Sequence, residues 1–168
     1  MRIWVCLGLV PVAIMSSCAE EVRAPQFDKC TTIVDSSPAA TGGLSPTTTT
    51  LSLMGISPVA GATLNAESTL AADLEFSIRD FQPDQFEVMA QFDTIDRQGW
   101  TTDGTFKDYP VLASAAGKIH FCFPMSYVWT DRTVRRPFSV RFYLQRITGP
   151  YSTTGVAQTE TFQYQADR

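Results

Sequence analysis

Any catalytic chemistry in this chain would have to begin at one histidine. His120 is the only one, and it stands two residues before Cys122 in the stretch KIHFCFPM. A Ser–His–Asp or Cys–His site needs its imidazole in a pocket beside an oriented carboxylate. Alternation here instead puts Ile119, Phe121, Phe123 and Met125 on one face and Lys118, His120 and Cys122 on the other. His120 is therefore expected on the outer face of a strand. Cys122 shares that face, so a two-ligand metal site can be drawn, but metal sites generally take more ligands than two. No catalytic residue, metal or cofactor is assigned.

The acidic residues give no stronger pattern. FDTIDRQGWTTDGTFKDYP contains Asp93, Asp96, Asp103 and Asp108. Calcium takes 6–8 oxygens, often from closely spaced acids. These four are widely spread, and Arg97 and Lys107 dilute their charge. A solvated loop pairing with Arg132, Arg135 and Arg136 fits better. Glycoside hydrolysis needs two carboxylates facing each other, whereas Glu75 and Glu87 point outward from separate strands. The chain is therefore expected not to be an enzyme. The aromatic residues are more suggestive. Trp100 and Tyr109 lie on one long connection, and Tyr127 and Trp129 on the next, in MSYVWTDR. In a seven-strand order these connections emerge at one end of the fold. With Asp131, Arg132 and Arg135 they would stack on a sugar or grip a peptide. The alternative is that the tryptophans cap the end of the core, as large rings commonly do.

The elements that must position these residues follow a period of two. Leu70, Ala72, Leu74, Phe76 and Ile78 alternate with polar or small residues. So do Phe86, Val88, Ala90 and Phe92, then Phe138, Val140, Phe142 and Leu144. Each pattern marks a strand with one buried face. Strands are expected at about 51–57, 68–78, 85–93, 117–125, 138–147 and 156–165, with a seventh at Tyr109 to Ser114. Gly61, Pro83-Asp84, Asp103-Gly104 and Gly149-Pro150 punctuate them. Seven short strands suggest two antiparallel sheets face to face. The opening LSLMGISPVAGATL resembles the first strand and turn of bacterial immunoglobulin-like and fibronectin-like modules, where the Pro protects an edge and the Gly turns the chain. The implied fold is all-β: an immunoglobulin-like or fibronectin-like antiparallel β-sandwich over 51–168. The Cys–Trp–Cys pattern of antibody domains is absent.

The N-terminal stretch has a different composition. Arg2 precedes an uncharged apolar run of 13 residues, Ile3 to Met15. A spanning helix needs about 20, while an export signal needs roughly 7–15. Met15-Ser16-Ser17-Cys18 resembles the lipobox of bacterial lipoproteins, with Met where Leu is usual. That resemblance implies a diacylglycerol on the Cys18 sulfur and removal of 1–17 as a signal peptide. It also implies a mature chain that begins at the acylated cysteine and is held by several acyl chains. Ala19 does not look like an inner-membrane retention signal, so the resemblance favours the outer membrane of a two-membrane bacterium. Ordinary secretion, with cleavage before Glu20, is the alternative and would leave the protein periplasmic or secreted. Residues 18–50, rich in Thr, Ser and Pro, read as a flexible tether, although CTTIV has some β character.

Four cysteines are present: Cys6, Cys18, Cys30 and Cys122. Either cleavage leaves Cys30 and Cys122. In an oxidising compartment an even pair suggests a disulfide, two free thiols being the alternative. The outward-facing Cys122 is open to a segment lying over the sandwich, as Cys30 would be. Net charge is -4, from 13 basic and 17 acidic residues, which argues against a nucleic-acid partner. The expected role is that of a binding or structural module at the cell envelope, with a membrane through the anchor and an envelope protein or glycan as partners. Carbohydrate binding by the loop aromatics is the alternative.

Overall fold

The period-two stretches fold as strands in the computed structural model, which describes residues 30–36, 46–95, 101–107, 109–130, 134 and 137–166. In chain order the elements are β1 (Ile33–Ser36), β2 (Thr50–Ser57), β3 (Thr63–Leu64), β4 (Thr69–Ser77), β5 (Phe86–Ile95), β6 (Thr101–Lys107), β7 (Ala116–Pro124), the short helix α1 (Ser126–Thr130), β8 (Phe138–Gly149), β9 (Ser152–Gln158) and β10 (Phe162–Ala166). They form two sheets. One has the order β1-β7-β4-β2, and the other the order β3-β10-β8-β5-β6, with β9 also paired to β8. No helix among the described residues is long and apolar enough to cross a membrane.

The inward-facing sets assigned by alternation form one core. Leu70, Leu74 and Phe76 of β4 pack with Val88 and Phe92 of β5, Ile119 and Phe121 of β7, and Phe138, Val140 and Phe142 of β8, all buried. Aromatic pairs join the sheets. Phe92 of β5 meets Phe123 of β7 edge-on at 5.3 Å, and Phe121 of β7 lies 5.3 Å from Phe142 of β8. Such pairs add about 0.5–1.5 kcal/mol each beyond area burial. Tyr164 of β10 is fully buried, and its hydroxyl donates to the Pro58 carbonyl at 2.9 Å, tying the end of the second sheet to the turn after β2.

The structure departs from the sequence reading in several places. It holds ten strands among the described residues rather than about seven. Residues 33–36, within the segment read as a tether, pair antiparallel to β7, Ile33 opposite His120. The pairing is not purely antiparallel, because β3 runs parallel to β10. The stretch expected as a seventh strand, 109–114, makes only an isolated bridge from Val111 to Glu87, while 101–107 forms β6 instead. Pro110 lacks the N–H that a longer ladder there would use. The last expected strand is divided at Thr159. The backbone N–H of Thr159 donates to the Phe142 carbonyl, and its side-chain hydroxyl accepts from the Phe142 N–H, so a side chain replaces one step of the ladder.

Candidate functional site

The outer face of the four-stranded sheet is set by the register. Cys122, His120 and Lys118 of β7 face outward, beside Ala71, Asp73 and Glu75 of β4 and Ile33 and Asp35 of β1. Cys30 and Cys122 form a disulfide with Cα atoms 5.1 Å apart and 92 residues of separation. It pins the chain just before β1 to the inner strand β7, close to the end of that strand. His120 Nδ1 lies 2.7 Å from Asp73 Oδ1, and both side chains are exposed to solvent. Among the described residues no three His, Cys, Asp or Glu cluster to hold a metal ion.

The outer face of the six-stranded sheet carries a denser polar arrangement. Gln91, Arg141 and Thr161 lie side by side, and Asp93 sits opposite Ser139. Arg141 donates from Nε to Thr161 Oγ1 at 2.7 Å and from Nη1 to the Tyr143 hydroxyl at 3.1 Å, with its guanidinium 5.6 Å from the Tyr143 ring centre. Gln91 Nε2 donates to Asp93 Oδ1 at 2.6 Å, and the fully buried Ser139 Oγ has no hydrogen-bond partner among the described residues. Beside Tyr143 a shallow hollow of about 240 Å³ runs along Gly155, Val156, Ala157 and Gln158. The arrangement can orient a ligand by hydrogen bonds. Arg141 and Tyr143 were absent from the sequence-based candidates, although they are the outward half of FSVRFYL, whose inward half defined the strand.

Of the four loop aromatics, the two whose side chains are described, Tyr109 and Trp129, do not share a surface. Trp100 lies outside the described residues, as does Cys18; Tyr127 falls in α1, and its side chain is likewise outside them. Trp129 packs against the core with its ring edge-on to Phe138 at 5.9 Å. Tyr109 is half exposed beside the start of β5, where Pro110 accepts from Val88 and Val111 bridges Glu87. Phe138 pairs with Thr94, whereas Glu87 pairs with Gln145. Tyr109 and Trp129 therefore sit at opposite ends of β5 and β8, separated by about 20 Å or more at ~3.4 Å per strand residue. Tyr109 thus does not share an end with Trp129, because β6 intervenes between the connection that follows β5 and the one that holds Tyr109. At the Tyr109 end, burial raises the Glu87 carboxyl above its ordinary value. Burial and the nearby Glu87 charge raise the Tyr109 hydroxyl.

No protein-family model matches the chain, and no curated protein matches it. Among solved structures, one that is similar is Pseudomonas fluorescens alkylpurine DNA glycosylase AlkC bound to DNA containing an abasic site analog. It is 11% identical, with a TM-score of 0.41, over 69% of this chain and 30% of that one. The chain thus spans less than a third of that protein's length. The expectation that the chain is not an enzyme is withdrawn against this finding, the matched protein being a DNA glycosylase. A likeness at that TM-score assigns the chain no activity of its own, and what stands is an all-β molecule of two packed sheets.

Proposed function

We propose that this chain is an exported lipoprotein, acylated at Cys18, whose immunoglobulin-like sandwich serves as a binding or structural module at the cell envelope. The observation that carries the reading is the Cys30–Cys122 disulfide. Such bonds persist in oxidising compartments outside the cytoplasm, where the lipobox-like Met15-Ser16-Ser17-Cys18 would deliver the chain. The immunoglobulin-like assignment is supported by strand order. β2, β4 and β7 take the places of strands A, B and E, and β5, β6, β8 and β10 those of C, C′, F and G. β1 occupies the place beside β7 where strand D would lie. The outer membrane is the proposed location, and an envelope protein or glycan the proposed partner.

The test is the intact mass of the chain extracted from membranes. The expected species begins at Cys18, carries acyl chains and is lighter by the hydrogens lost in forming the disulfide. A chain recovered only in soluble form and starting at Glu20 would overturn the anchor.

A further inference from the structure

One side of the sandwich has two edge strands free of charge. It is built from the neighbouring edges of β2 and β9, which contact each other across the two sheets. TLSLMGIS in β2 and STTGVAQ in β9 contain no Asp, Glu, Lys, Arg or Pro. The opposite side is edged by β1, with Asp35, and β6, with Asp103 and Lys107. Charges and prolines are the usual devices that stop a strand edge from pairing with another chain. The β2–β9 side lacks both, and it exposes Met54 at 61% and Val156 at 39%.

The β9 edge is half of a longer edge that already accepts a strand. Its continuation, β10, is covered by β3 through Gln165–Thr63 and Ala166–Leu64. β9 pairs with β8 on one side, and among the described residues no strand covers its other side. The only residue of β9 outside the ladder with β8 is Val156, at a bulge.

We propose that two copies of this chain associate through this side, pairing β9 with β9 in antiparallel register. A two-fold interface sets like against like, so a charged strand would oppose its own charges; an uncharged one does not. The register follows from two further features. Tyr151, at the tip of the β8–β9 turn, is fully exposed. The hollow of about 240 Å³ beside β9 is lined by Tyr143, Gly155, Val156, Ala157 and Gln158, and space above Gly155 is open, with no atom within 4 Å of where a Cβ would lie. Pairing centred on Thr154 sets position 151 of one copy across from position 157 of the other, one of the residues that line the hollow. Each Tyr151 ring then enters the hollow of its neighbour, twice per dimer.

The inference does not depend on the lipid anchor, and the experiment removes it. The full chain with Cys18→Ala is studied by sedimentation equilibrium from micromolar to submillimolar concentration. It is expected to pass from monomer to dimer. Thr154→Lys, which opposes two cations near the two-fold axis, and Tyr151→Ala, which empties the hollow, are each expected to raise the dissociation constant by about tenfold or more. Asp35→Asn, on the opposite side, is expected to leave it unchanged. All three positions are exposed, and matching melting temperatures would show that the fold is kept. A chain that stays monomeric throughout overturns the proposal, even if it captures some other strand. A dimer equally tight in the Thr154→Lys and Tyr151→Ala variants overturns it as well.

Discussion

Tyr164 shows what a single polar atom does inside this core. Burial pushes its hydroxyl up to about 12, while the same group holds the Pro58 carbonyl. A tyrosine that keeps its proton longer when folded stabilises fully below its ordinary value near 10.0, and that contribution is lost as pH rises from there through about 12. Unfolding midpoints in denaturant should therefore fall across that interval, and Tyr164→Phe should flatten the fall. At neutral pH the same substitution should cost about 1 kcal/mol, one hydrogen bond. Trp129 is a second case. Packed edge-on to Phe138, it should cost roughly 2 kcal/mol on truncation to Ala, measured by chemical denaturation. Alternation in the sequence located Phe138 in the core, because burial on a strand follows parity. It did not separate Tyr109 from Trp129, because parity carries no information about which end of a sheet a connection reaches.

Among the elements, β1 is held by two devices of different kinds. The first is the disulfide. Replacing Cys30 and Cys122 together by Ser should lower the unfolding free energy by about 2–4 kcal/mol, given the long loop that the bond closes. The second is Gly117, opposite Ser36 in the register. A Cβ there would stand 2.5 Å from the Asp35 carbonyl oxygen and 2.9 Å from the Phe76 ring. Gly117→Ala should displace β1 or Phe76 and lower stability by about 1–3 kcal/mol, seen as a lower melting temperature and faster amide exchange in β1. The strongly alternating strands were legible because each buries a full row of Leu, Val or Phe. β6 was not, since TTDGTFK has one large apolar residue and a turn-like Asp-Gly. β1 was masked by its Thr- and Pro-rich surroundings, and its place depends on Cys122, which lies about 90 residues away. The outward row of Arg141 and Tyr143 was readable in FSVRFYL but had no partner in sequence to give it meaning. Thr161 reaches it only because the chain runs on from β9 into β10 along β8.

For the molecule as a whole, the two sheets make one body whose N-terminal connection is attached to an inner strand, β7, as well as to the edge strand β1. The proposed anchoring by Cys18 would put about a dozen residues between bilayer and disulfide, a reach of roughly 20 Å as a flexible coil. Cys18→Ala should release the chain from membranes, as judged by its partition between pellet and supernatant after cell lysis. The disulfide also decides how the molecule bears mechanical load. A pull arriving from the N-terminal side enters at Cys30 and passes straight to Cys122, in a strand flanked on both sides by partners. The four residues of β1 carry none of it. With the bond intact, the sandwich must shear β7 against β4, breaking many hydrogen bonds at once. With the bond reduced, the same force would peel β1 from its edge one pair at a time, so the sulfur bridge turns a zipper into a rivet.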